Sequence, residues 1–208
     1  MTYHDLAIII GWIAVSFGIP ATVAQWRRVE TKGVEGVSHA TWLLFVFMSC
    51  FWITYGFVAH SAQVTWGSLV CLPFQLAIVY RLKFWRRARV PALTFLFFLV
   101  SVVAPTLIWG WKAGVLGTGF AMVCNRGPQF IELIRESNAT GVSTMSWLYG
   151  AMGCALWIIY YQNVHLWSAL IATSGALAAN LAICFLAAWR HRQAKNAMIA
   201  DEVFSSSL

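Results

Sequence analysis

Residues 36–43 read Gly-Val-Ser-His-Ala-Thr-Trp-Leu, and residues 141–148 read Gly-Val-Ser-Thr-Met-Ser-Trp-Leu. The match continues at the same offset of 105: Trp52-Ile53-x-Tyr55 returns as Trp157-Ile158-x-Tyr160, and His60 returns as His165. Across residues 36–80 and 141–185, aligned without gaps, 13 of 45 positions are identical. Shared apolar composition does not place rare Trp, Tyr and His side chains in register, so the chain is read as a duplicated unit.

Composition says what is duplicated. Of 208 residues, 60% are hydrophobic and 10% are charged, and the mean hydropathy is +0.71. A soluble domain carries about 25% charged residues. A water-soluble fold is therefore excluded, as are disordered, collagen-like and disulfide-framework chains. Seven apolar segments of 19 to 23 residues stand out: Leu6–Gln25, Ala40–Ala59, Val64–Leu82, Pro91–Gly110, Ala113–Ile134, Met145–Val164 and Leu166–Ala188. Each matches the roughly 20 residues that cross the hydrocarbon core as a helix. Their continuous apolar character is unlike the alternation of barrel strands. The expected fold is an all-α integral membrane protein with seven transmembrane helices.

Charge orients it. Twelve of the 14 basic residues fall in connections 1–2, 3–4 and 5–6 and in the tail: Arg27, Arg28, Lys32; Arg81, Lys83, Arg86, Arg87, Arg89; Arg135; and Arg190, Arg192, Lys195. Lys112 stands alone on the other side, and Arg126 lies within the fifth span. The positive-inside rule then puts the amino terminus outside and the carboxyl terminus in the cytoplasm, in a plasma or bacterial inner membrane. Asp5 stands where a signal peptide needs a basic residue, so the first segment is read as a retained span. The polar stretch Gln193–Leu208 is expected to fray. Trp26, Trp85, Trp109, Trp111, Trp167 and Trp189 fall near span ends, as interfacial residues do; Trp52 and Trp157 fall in the bodies of spans. The net charge of +7 belongs to loops, and no segment is free to form a basic face for nucleic acid. Cys50, Cys71, Cys124, Cys154 and Cys184 each lie in apolar runs without zinc spacing and read as small buried hydrophobes.

Each unit contains three spans, and an odd unit copied directly would emerge inverted. The single span Pro91–Gly110 restores orientation, giving a 3+1+3 plan. Residues 1–89 form the first repeat, 90–112 the linker helix, 113–192 the second repeat and 193–208 a cytoplasmic tail. Parallel repeats of this kind build transporters whose site lies between the repeats, near the midplane.

Pro128-Gln129, followed by Ile134-Arg135-Glu136-Ser137-Asn138-Ala139-Thr140-Gly141-Val142-Ser143, resembles the PQ-loop signature. In the first copy, Ala24-Gln25 leads to Glu30-Thr31-Lys32-Gly33-Val34-Glu35-Gly36-Val37-Ser38, which is similar to that family's R-T-K-S-V-E-G-x-S consensus. Phe51-Trp52-Ile53-Thr54-Tyr55-Gly56 resembles its Leu-Trp-x-x-Tyr-Gly pattern. With the 3+1+3 plan, these motifs resemble the SWEET sugar facilitators and their half-size SemiSWEET relatives. The resemblance implies alternating-access facilitation of a small neutral polar solute, foremost a sugar, without a cofactor or metal. It also implies hinge prolines near the cytoplasmic helix ends. Pro128 matches one; Ala24 takes the matching place in the first copy, with Pro20 one turn earlier, and spans two and six have none. The family pocket pairs a Trp on the second helix of each repeat with an amide on the third. Trp52 and Trp157 match the aromatic. The ungapped partners are Ser68 and Thr173, with Gln75 and Asn180 seven residues on and on nearly the same face.

The residues carry physical readings of their own. Two Trp faces suit a solute that stacks, and hydroxyls or amides suit its edge; the competing reading is bundle packing with the indole N–H bonded to a neighbouring helix. Gln75 and Asn180 must face protein or a water-filled cavity, and they equally suit interhelical hydrogen bonds. Ser68 and Thr173 hydroxyls also bond back to their own helix. Pro20 and Pro128 should kink their helices and serve as hinges, flanked by Gln25 and Gln129, and Pro73 and Pro105 kink theirs. Arg126 suits a structural or inner-gate role, snorkelling, or contact with an anionic solute. Tyr55 and Tyr160, with His60 and His165, suit an outer gate.

No carboxylate lies deep in a span, which favours facilitated diffusion over proton coupling. There is no phosphate-binding loop, HExxH or G-x-S-x-G, and the seventh span lacks the Lys a retinal protein needs, so an enzyme and a photoreceptor are both disfavoured. The alternatives are a PQ-loop exporter of amino acids or other metabolites, and a receptor or scaffold of that family. The expected partners are a small-molecule substrate and the lipid bilayer. Both repeats share one chain, so a monomer suffices, and assembly into homo-oligomers stays open.

Overall fold

A computed structural model describes residues 3–83, 86, 89–136, 138–163 and 167–206. The described residues form helices joined by short turns, with no strand among them. The helices are α1 (Tyr3–Lys32), α2 (His39–Val58), α3 (Ala62–Arg81), α4 (Arg89–Phe98), a π-helical stretch at Leu99–Val103, α5 (Ala104–Trp109), α6 (Trp111–Cys124), α7 (Arg126–Arg135), α8 (Thr144–Asn163) and α9 (Trp167–Ser206). Five stretches are long and apolar enough to cross a membrane: Ile8–Lys32, His39–Val58, Ala62–Arg81, Arg89–Trp109 and Leu170–Ile199. α8 has the length, but Trp147, Trp157, its tyrosines and the Gln162-Asn163 end lower its hydropathy. The segment read as a fifth span is divided between α6 and α7.

That division has a physical cause. Pro128 has no N–H to give the carbonyl of Cys124, and its ring crowds that carbonyl. The helix is interrupted at Asn125, so the expectation of one continuous span over Ala113–Ile134 is corrected. Pro20 and Pro73 sit inside helices that run on without a break. Pro105 follows the π-helical stretch, where a wider turn absorbs the missing donor. The tail is not frayed, because α9 runs to Ser206. Its Gln-Ala-Lys-Asn-Ala-Met-Ile-Ala-Asp-Glu run is mostly made of good helix formers continuing an existing helix, which avoids the cost of a new nucleus.

The packing order follows from the contacts. α3 lies against both α1 and α2, and α9 against α8, α6 and α7. The two groups meet where α1 packs on α8 and where α2 approaches α7. The stretch from α4 to α5 covers α2 and α6. The exterior is apolar, with Phe57, Leu107, Ile108, Ile171 and Phe185 exposed, whereas Gln25, Gln75, Asn125, Arg126, Gln129 and Asn180 are buried. That inversion of the soluble pattern suits a lipid surround. Cys50 is exposed on this exterior, which corrects its reading as a buried hydrophobe; Cys71 and Cys154 are buried. The largest buried cluster gathers equivalent residues: Val37 with Val142, Trp42 with Trp147 and Ile78 with Ile183. Val37 and Val142 lie in the 33–38 and 138–143 connections, Trp42 and Trp147 in the first turns of α2 and α8, and Ile78 and Ile183 on α3 and α9 pack against them.

The linker stretch is held by close approach. A Cβ on Gly117 would collide with the carbonyl oxygen of Ser101, one turn before Pro105. Gly117→Ala is therefore expected to lower stability by about 1–3 kcal/mol, the usual cost of overpacking. A thermal-unfolding midpoint in detergent micelles equal to that of the parent would contradict this.

Candidate functional site

Two glutamines tie the two halves together. Gln25 on α1 is fully buried at 0% exposure. Its Nε2 donates to the Gly141 carbonyl at 2.8 Å, and its Oε1 accepts from the Ser143 N–H at 2.8 Å. Gln129 on α7, also 0% exposed, does the same in reverse: Nε2 donates to the Gly36 carbonyl at 2.6 Å, and Oε1 accepts from the Ser38 N–H at 2.9 Å. A carboxamide has one acceptor end and one donor end. Here each is matched to the two backbone groups that a Gly-Val-Ser turn leaves unpaired.

The turns are shaped for this. Gly36 has φ +75, in the left-handed region, and a Cβ there would lie 2.9 Å from the Cα of Ala139. The Gly141 N–H donates to the Glu35 carbonyl at 3.1 Å, so the connections also touch through backbone. Ser38 and Ser143 then open α2 and α8: each hydroxyl accepts from the N–H three residues on, at 3.3 Å from Thr41 and 3.2 Å from Ser146. Arg28 donates from Nε to the Thr140 carbonyl at 2.6 Å. Arg190 on α9 donates to the carbonyls of Leu133 and Ile134 at the end of α7. On the exposed face, Glu30 and Arg81 form a two-point ion pair, with Nε to Oε1 at 2.8 Å and the second contact from NH2 to Oε2.

Above the clamp lie two equivalent polar pairs. Ser49 Oγ donates to Gln75 Oε1 at 2.8 Å, joining α2 to α3. Asn180 Nδ2 donates to Cys154 Sγ at 3.4 Å, joining α9 to α8. The residues correspond at the offset of 105. The amides of Gln75 and Asn180, expected to line a pocket, are thus engaged by neighbouring helices. Ser68 is half-buried and Thr173 buried, and neither takes part in these pairs.

Asn180 has a further partner. Arg126 Nε donates to its Oδ1 at 2.7 Å, NH1 donates to the Met122 carbonyl, and the guanidinium carbon lies 6.0 Å from the centre of the Phe45 ring. Arg126 is 5% exposed, so it does not snorkel. One residue earlier, the Asn125 side chain is buried with neither amide atom bonded. It borders a cavity of about 210 Å³ with Leu44, Thr94, Phe97 and Pro128.

The aromatic residues form one cluster on each half. Trp52 meets Tyr55 edge-on at 5.7 Å, and Tyr55 lies 5.8 Å from Trp111. Trp157 meets Tyr160 edge-on at 5.3 Å and stacks on Tyr161 at 5.6 Å. His60 is exposed just past the end of α2, while His165 and Trp85 lie outside the described residues. Pro20 and Pro128 are half-buried, each near the glutamine of its own half.

Sequence reasoning missed Ser49, Cys154 and Asn125. The first two carry a usable signal, since they match at offset 105 and each precedes its amide partner by 26 residues. Asn125 carries none. Compared with protein-family models, curated proteins and solved structures, the chain matches none.

Gln129→Ala strips the Gly36 carbonyl and the Ser38 N–H of their partners, at about 1–3 kcal/mol for each buried group left unsatisfied. Trp42→Phe is the comparison, because the buried Trp42 indole N–H has no partner to lose. Thermal unfolding in micelles is expected to show the larger fall for Gln129→Ala; the reverse order would remove the clamp from the account.

Proposed function

We propose that the chain is a seven-span, 3+1+3 facilitator of the PQ-loop and SWEET kind, which lets a small polar solute of the sugar class equilibrate across a plasma or bacterial inner membrane. The observation that carries the reading is the reciprocal clamp. Two equivalent halves hold each other's turns through Gln25 and Gln129, at one end of the bundle, with four hydrogen bonds between them. Duplication alone places the same contact twice about an axis, where it fixes the register of the halves. A carrier gains more from it, because releasing both contacts together lets the halves rock without distorting either. The loop charges favour the cytoplasmic side for this end, and on that reading the described arrangement is the one closed to the inside.

The other parts fit that cycle. The helix interruption at Asn125, imposed by Pro128, gives the second half a point of bending next to its clamp residue. Trp52 and Trp157 lie one turn outward of Ser49 and Cys154 and offer flat faces at the level where a solute would rest. Tyr55 and Tyr160 lie further out again. With no carboxylate deep in a span, the driving force is the solute's own gradient.

The test is uptake of labelled sugars and amino acids into proteoliposomes without an imposed gradient, with Trp157→Ala beside the parent. Saturable equilibration of a sugar, reduced at least tenfold in the variant, is expected. Saturable movement of an amino acid with sugars excluded would shift the reading to the exporter class. Binding without any flux would shift it to a receptor.

A further inference from the structure

Among the described residues the two halves differ at one buried charged position, and the difference points to the solute. Gln25 and Gln129 are equivalent, so the residue equivalent to Arg126 is Thr22. Thr22 is buried; its hydroxyl bonds to the Gly18 carbonyl of its own helix, at 3.1 Å, and meets the Cys71 side chain on α3. The first half makes its equivalent polar pair, Ser49 with Gln75, without a cation. The fold therefore does not require a charge there. The second half has one all the same, nearly fully buried, and its neighbours are shaped to hold it. Gly150 stands where the first half has Phe45, and a Cβ on it would lie 3.2 Å from Asn180 Nδ2.

A buried guanidinium cannot shed its proton, so it stays charged and calls for a counter-charge. The Asn180 Oδ1 and the Met122 carbonyl that accept from it are both neutral, and the Cys154 side chain also lies within its hydrogen-bonding reach. Among the described residues the one carboxylate paired with a base is Glu30, on Arg81. Asn180, the Met122 carbonyl and Cys154 engage only part of the five-donor guanidinium, and its flat fork matches a carboxylate.

We infer that Arg126 is the carboxylate-binding residue of the central site, and that the solute is a small hydroxylated monocarboxylate, a sugar acid rather than a neutral sugar. This rests on the facilitator reading and narrows it. Trp157 follows Cys154 by three residues on α8, so it stands about 4.5 Å further along the helix, beyond the Asn180–Arg126 contact. A solute with its carboxylate on Arg126 and its hydroxylated chain against Trp157 spans that interval.

The experiment measures equilibration of labelled gluconate, glycerate and glucose in proteoliposomes, together with the thermal shift each gives the purified protein, for the parent, Arg126→Thr and Arg126→Lys. Arg126→Thr copies the first half. If it fails to fold, Arg126→Met replaces it, because an apolar residue of similar length removes the charge without a buried orphan. The parent is expected to favour an acid over glucose at least tenfold. The neutral variant should lose that preference, and Arg126→Lys should keep part of it. Transport of glucose with both acids excluded would overturn the inference and leave the facilitator intact. An acid preference that survives in the neutral variant would overturn it too. Should nothing be transported, the thermal shift decides: stabilisation of the parent by an acid, absent in the neutral variant, keeps the anion site and rejects transport. No stabilisation by either acid rejects the site.

Discussion

A buried carboxamide can leave neither of its ends unpaired, and that constraint sets the arrangement of this molecule. Gln25 and Gln129 each present one donor and one acceptor away from water, and each is satisfied only by the carbonyl and N–H of a Gly-Val-Ser turn in the opposite half. Shifting one half by a single residue would orphan four backbone groups and two side chains at once. The clamp thus fixes register between halves. The left-handed glycine at position 36, the serine caps and the apolar cluster around Trp42 and Trp147 all build outward from it.

Strength and freedom are distributed along the bundle. The clamp end holds the largest buried cluster, while the Trp52 and Trp157 clusters at the other end are half-buried. Between them lie the polar pairs Ser49–Gln75 and Cys154–Asn180, which keep helices within each half together rather than linking the halves. Such pairs average about 0.6 kcal/mol in membranes, enough to hold a helix in place and too little to prevent movement. The interruption at Asn125 falls between the clamp and the polar pair of the second half, where bending would change their spacing.

Much of this was legible in the sequence, for physical reasons. Burial in lipid demands long apolar runs, so the spans show in composition. Duplication keeps Trp, Tyr and His in register, so the equivalence of Trp52 with Trp157 and of Gln75 with Asn180 shows in spacing. What the glutamines touch did not show, because their partners are backbone groups 91 to 118 residues away. Their own equivalence is offset by one residue from that of the turns, and an ungapped alignment hides it. The engagement of Gln75 and Asn180 was hidden because Ser49 and Cys154 read as ordinary small residues in apolar runs. The helical tail was misread because its polarity outweighed its helix formers, and the division of the fifth span because a proline in a span signals a bend without fixing where the ladder breaks.

The central claim is that the clamp opens and closes. Thr31 and Glu136 are exposed, at the end of α1 and just past α7, on either side of it. Spin labels at these two positions, in a protein freed of its other cysteines and reconstituted in bilayers, report their separation by pulsed electron resonance. The account predicts two distance populations, with the longer one enriched by Gln129→Ala. A single narrow distance in both the parent and the variant would contradict it.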